Sequence, residues 1–189
     1  GKSDGEETQN GSDPLDRTSY KTRVTLTFRN GEKDYQGMDD AYIRLSSSNT
    51  AYGTSTTVYI RNDNIHGLFR FDLSDLKGIV DSVTNATLTL RDVSTDVGTN
   101  DVAMYRVLKP WVENEVTFNS YANGSLWETP GAAGATDRGP LLSTVAMPVM
   151  GGGTGFVYDI TIPASLVQDW IDNPADNHGI LLVGSNMRT

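Results

Sequence analysis

From residue 23 onward, apolar and polar side chains alternate in short runs. In RVTLTFR (residues 23–29) Val24, Leu26 and Phe28 fall on one face. DAYIRL sets Ala41, Ile43 and Leu45 against Tyr42 and Arg44, and TTVYIR sets Val58 and Ile60 against Tyr59 and Arg61. GLFRFDL sets Phe69, Phe71 and Leu73 against Arg70 and Asp72. NATLTLRDV alternates Ala86, Leu88 and Leu90 with threonines, and DVAMYRV places Ala103, Tyr105 and Val107 together. A period of two rich in β-branched and aromatic residues is the pattern of a half-buried strand. FVYDIT and the apolar run GILLVG (residues 179–184) predict two more strands. Turn-rich clusters, FRNGEKD, SSSNTAYGTS and VSTDVGTND, separate the runs.

One segment, IPASLVQDWIDNP, reads as a helix. Pro163 suits its first turn, Asn173-Pro174 stops it, and Leu166, Val167, Trp170 and Ile171 form one stripe. Many strands and one helix predict an all-β fold: an antiparallel β-sandwich, jelly-roll type, with one short amphipathic helix near the C-terminus. Residues 111–155 have no regular period and contain NSYANGSLWETPGAAGATDRGP and MGGGTG, so a long surface loop is expected there. Residues 1–20 differ from everything after them. Up to Thr18 they hold one aliphatic side chain, Leu15, with five acids against two bases. That composition predicts a disordered acidic linker or tail, followed by a single module over residues 21–189.

Charge and composition narrow the function classes. A net charge of −9 argues against nucleic acid and against an anionic membrane surface, since both require clustered bases. No apolar run approaches the roughly 18 residues of a membrane helix, so no membrane insertion is expected. The absence of cysteine removes disulfides, thiolate chemistry and cysteine zinc sites.

Catalysis finds little support. The two histidines, His66 and His178, sit in no nucleophile motif, and G-x-S-x-G is absent. Glu113 and Glu115 in WVENEVTF are the one close glutamate pair outside the tail, and hydrogen bonding within a turn accounts for them. The chain is therefore expected not to be an enzyme. Calcium is the candidate cofactor on ligand type alone: Asp39-Asp40, Asp72, Asp92, Asp96 and Asp159 lie at strand ends or edges, without EF-hand spacing. Tyr42, Tyr59, Trp111, Tyr121 and Trp127 are candidate sugar platforms. Trp111 and Trp170 read as core, whereas Trp127, in a glycine-rich loop, reads as the better platform. Arg44, Arg61 and Arg70 all take the non-core parity of their runs. On neighbouring strands they would form one surface suited to carboxylate or sulfate; the other reading is a solvated sheet face with cross-strand pairs, such as Arg70 with an acid.

Several motifs follow one another in a set order: DDAYIRLSSSNTAYGTSTTVYIRND, LFRFDLSDL, SVTNATLTLRDV, MYRVLKPWVENEVTF, LWETPGA and VYDITIPASLVQDWIDNPADNHGILLVG. Over residues 22–184 the chain resembles the DNRLRE domain, an extracellular bacterial and archaeal β-sandwich module related to alginate-binding carbohydrate-binding modules of polysaccharide lyases and hydrolases. The resemblance implies a jelly-roll sandwich, an extracellular or cell-surface location and a non-catalytic role. It implies uronate contacts at Arg44 and Arg70, with Arg61 beside them, and a structural calcium at Asp40, Asp72 and Asp159. Members continue past the N-x-G-I-L-L motif to a closing strand, whereas this sequence ends at GSNMRT. A missing strand, or one supplied by a neighbouring chain, is the corresponding expectation.

Two functions are thus expected. One is a module that recognises an acidic, alginate-like polysaccharide through Arg44, Arg61, Arg70, Tyr42, Tyr59 and Trp127, and concentrates a linked catalytic domain on its substrate. The other is a structural or adhesive surface subunit completed by a strand from its neighbour.

Overall fold

The computed structural model describes residues 22–93, 99–147 and 155–188. The predicted acidic tail over residues 1–20, and Asp96, lie outside the described residues. The fold is an antiparallel β-sandwich with unequal sheets. The large sheet has the strand order β1-β2-β9-β4-β7, formed by Met38–Arg44, Ile65–Phe71, Ile180–Arg188, Thr99–Val107 and Arg138–Met147. The small sheet is a two-stranded ribbon of β3 (Ala86–Arg91) and β8 (Val157–Ile162), and β5 (Ser120–Ala122) with β6 (Ser125–Leu126) makes a minor hairpin. Most neighbours in the large sheet are distant in sequence, as crossed-over sandwich connections require.

The space between the sheets is filled as alternation predicts. Phe69, Val102, Met104, Ile180 and Leu182 of the large sheet meet Leu88, Ile160 and Ile162 of the ribbon. Helix α1 (Ala164–Asp172) closes one end by burying Leu166, Trp170 and Ile171, and Arg106 reaches it through Asp169 at 2.7 Å. Among the described residues no helix is long and apolar enough to cross a membrane.

The opposite face of the large sheet is buried as well. Ala41, Ile43, Leu68, Val107 and Leu181 pack against Trp111, Val116, Phe118, Trp127 and Ala132. The irregular stretch after Lys109, expected as a surface loop, instead carries half of a second core and contains β7. Two-sided burial explains the continuous apolar run of β9, whose Ile180, Leu181 and Leu182 are all buried.

Two predicted strands do not form. Residues 56–60 lie across the sheet without a ladder, and only Arg61 makes a bridge, to Ile65. They press so closely on β2 that a Cβ at Gly67 would sit 3.0 Å from both Val58 and Ile60, which explains the glycine. Residues 22–29 are likewise outside any strand, with Val24 70% and Leu26 51% exposed.

Candidate functional site

Register decides which arginines can work together. In the β1–β2 ladder Asp39 pairs with Arg70 and Ala41 with Leu68, so Arg70 projects on the face covered by the second core. There Arg70 Nε donates to Asp39 Oδ2 at 2.9 Å, and Nη2 forms an ion pair with the same oxygen. Its Nη1 donates to the Trp111 carbonyl at 3.1 Å, and the guanidinium lies 5.0 Å from the Trp111 ring centroid. Arg70 is the cross-strand pair that the alternative reading described. A carboxylate ligand would have to displace Asp39 to reach it.

Arg44 occupies the other face. It pairs with Ile65 in the ladder, and Arg61 pairs with the same Ile65 through the bridge hydrogen bonds Arg61 N to Ile65 O (2.9 Å) and Ile65 N to Arg61 O (3.1 Å). Directly paired residues project to one side of a sheet, so Arg44 and Arg61 flank Ile65 on a common face. Two strand spacings separate their backbones, about 10 Å. Both are exposed, and neither makes an ion pair among the described residues. Of the three candidate arginines, the structure brings together Arg44 and Arg61 and turns Arg70 away.

Tyrosines adjoin these arginines. Tyr42, two residues before Arg44 on the same side of β1, stacks on Tyr52 at 4.3 Å between centroids and 16° between planes. Tyr59 meets Tyr42 edge-on at 5.2 Å. Tyr42 is buried at 7% exposure, so it serves as the base of the cluster, while Tyr59, 54% exposed, offers its ring to solvent. Burial raises the Tyr42 hydroxyl above its ordinary range, reinforced by Tyr52 and Tyr59, so it stays protonated. Tyr52 was absent from the residues picked out by sequence. Its signal was weak: a tyrosine in a serine- and threonine-rich turn, without periodicity.

Trp127 corrects the expectation from its loop. It is buried in the second core at 4% exposure, and its Nε1 donates to the Thr117 carbonyl at 3.0 Å. The glycine-rich loop around it is held by Asp137, which is fully buried and accepts the backbone N–H groups of Glu128, Thr129 and Gly134 at 2.9–3.0 Å. Trp111 is core, as read, with its Nε1 donating to the His178 carbonyl.

The three calcium candidates stand apart. Asp40 sits on β1 near Glu113 and Asp39, and burial first, then those two acids, raises its carboxyl above the usual range. Asp72 accepts the Ser74 N–H at 2.9 Å, and its bonds to Ser74 hold it below that range. Asp159 accepts the Thr89 hydroxyl at 2.6 Å on the small ribbon. Among the described residues no three His, Asp or Glu side chains are grouped to hold a metal ion, so Asp40, Asp72 and Asp159 do not fit one calcium site. The glutamate pair is also occupied. Glu113 accepts the Asp40 N–H at 3.0 Å, shielding the outer edge of β1, and Glu115 accepts the Asn123 N–H at 3.0 Å.

The family comparison identifies the class. Residues 32–129, more than half of the chain, match carbohydrate-binding module family 96, and the chain belongs to that family. The match spans every residue of the tyrosine–arginine face; it establishes the carbohydrate-binding class and not the DNRLRE kinship as such. No curated protein matches the chain significantly.

Proposed function

We propose that this module binds an acidic polysaccharide, of the uronate type found in alginate, along the face formed by Arg44, Arg61, Tyr52 and Tyr59. The observation that carries the reading is the pairing of Arg44 and Arg61 with a single residue, Ile65, which leaves two exposed cations flanking it with no ion pair among the described residues. In a chain of net charge −9, such a pair is a local exception. Guanidinium forks suit carboxylates, and an exposed tyrosine ring suits the C–H face of a sugar. The role is non-catalytic and extracellular, bringing a linked enzyme to its substrate through effective concentration.

Calorimetry with alginate, pectate and a neutral glucan tests this. Binding to the uronans that weakens with salt, and falls at least tenfold in the Arg44→Ala/Arg61→Ala variant, is expected. Folded protein that binds none of an acidic glycan panel overturns the proposal.

A further inference from the structure

Residues 24–29 and strand β3 are near copies of one another. Val24-Thr25-Leu26-Thr27-Phe28-Arg29 matches Ala86-Thr87-Leu88-Thr89-Leu90-Arg91 in both threonines, the central leucine and the arginine. In β3 this pattern lies on the core, with Leu88 5% exposed and Thr87 and Thr89 facing out. In residues 24–29 the same apolar row is stranded: Val24 is 70% and Leu26 51% exposed, and no ladder forms. The ribbon that could accept such a strand is short of partners. Among the described residues β3 pairs only with β8, so the ribbon, although covered on its inner face by the large sheet, has each strand laddered on one side alone. The exposed edge of β1, by contrast, is already masked by Glu113 at Asp40 and by Asn30, whose side chain both donates to and accepts from the Met38 backbone.

We propose that residues 24–29 are a strand donated to the β3–β8 ribbon of a second copy, which returns its own in a two-fold exchange. Within one copy the segment is directed elsewhere. The Asn30–Met38 clasp and the Phe28 ring, 5.2 Å edge-on to Tyr35, fix its end at the start of β1. Charge permits the exchange: the donor contains no acid, and the ribbon exposes one base, Arg91, and one acid, Asp159. In a two-fold exchange each copy gives its strand to the copy that gives it one, so the contact is isologous and closes as a dimer; a head-to-tail exchange would instead grow with concentration into larger species. The threonine rows of donor and β3 lie on the same side when their leucines share the core face, giving compatible cross-strand pairs.

Light scattering coupled to size exclusion, from low micromolar to several hundred micromolar protein, is the test, with hydrogen–deuterium exchange on the same samples. The wild-type chain shifts from monomer to dimer as concentration rises, and amides of residues 24–28 and of the ribbon gain protection together. Val24→Asp/Leu26→Asp remains monomeric over the whole range with unchanged thermal midpoint, because both side chains are exposed in the monomer. Thr25→Pro/Leu26→Pro, which deletes a ladder N–H in either register without adding charge, behaves the same way and stands in if the first variant misfolds. A wild-type monomer at every concentration overturns the proposal, as does a dimer that survives both variants. Protection of residues 24–28 in the monomer also overturns it, by showing that the strand pairs within its own chain. None of these outcomes depends on glycan binding.

Discussion

Arg70 stands directly across the ladder from Asp39, and the carboxylate takes both Nε and Nη2 of the guanidinium while the third nitrogen is held by the Trp111 carbonyl. Its role is to tie the β1–β2 hairpin to the segment covering the second core. Replacing Arg70 by alanine removes these charge-assisted bonds and leaves a half-buried carboxylate without its partner. A loss of about 1–3 kcal/mol in urea unfolding is expected. Glycan affinity, measured on protein that remains folded, should change less than threefold.

Arg44 and Arg61 should behave in the opposite sense. Both are exposed and make no ion pair among the described residues, so truncating either to alanine should alter stability by no more than about 0.5 kcal/mol. Each single truncation should lower uronan affinity, and each should reduce its salt dependence. Tyr59→Ala should weaken binding without changing that salt dependence, because the ring contributes contact and no charge. A salt slope left intact in the arginine variants would move the binding face elsewhere.

Alternation reported which side chains face inward but not whether a run is paired. The motifs of β1, β2, β3, β4, β8 and β9 became strands, and the helix formed where its stripe and stop signals placed it. TTVYIR shows the same alternation yet lies on the core with no ladder, because the tight contact at Gly67 replaces backbone pairing. RVTLTFR has the pattern without either. The second core was illegible for a different reason. Trp111, Val116, Phe118 and Trp127 come from a stretch without a period, and their convergence is a tertiary event. For the same reason Arg70 looked equivalent to Arg44: parity within a run carries no information about which face of a neighbouring strand it matches until the register is known. Only the Ile65 bridge, a contact between residues four apart, revealed Arg61 as the partner of Arg44.

Asp137 governs the shape of the loop after Trp127. It accepts three backbone N–H groups in a site closed to solvent, and its own backbone carbonyl accepts the Leu108 N–H at 2.8 Å. Asp137→Ala would strand those donors where water must enter to satisfy them. A cost of about 2–4 kcal/mol is expected, at the upper end for a buried charged acceptor. Trp127 is in contact with the same core, so its fluorescence should shift to longer wavelength below the unfolding midpoint of the wild-type chain. Asp137→Asn, which keeps one acceptor oxygen, should recover part of the loss. A native emission maximum and stability in the alanine variant would refute this role.

His66 supplies the pH dependence. Its ring is buried at 4% exposure, with Nδ1 2.9 Å from the Gly131 carbonyl and Nε2 3.0 Å from the Asp63 carbonyl. A neutral imidazole donates to one of these and a charged one to both, yet burial outweighs the carbonyls and, with Arg138 adding to it, holds the ring below its ordinary pKa. His178 is lowered in the same direction, by burial first and then by Arg70. The unfolded chain therefore takes up these protons first as the pH falls through about 6.5, where free histidine titrates. Stability from the histidines is full above that value, declines below it, and levels off once the folded rings are charged as well. Asp40 acts oppositely: its raised carboxyl takes a proton earlier in the folded state, so it contributes stability as the pH falls further. Thermal midpoints measured from pH 7.5 to 5.5 should fall, His66→Gln should flatten the slope, and His66→Gln/His178→Gln should remove most of it. In wild-type protein, the His66 ring proton resonances should titrate below those of an unfolded reference. A slope that His66→Gln leaves unchanged would take the role from His66, and one that survives His66→Gln/His178→Gln would assign the pH dependence to the carboxylates.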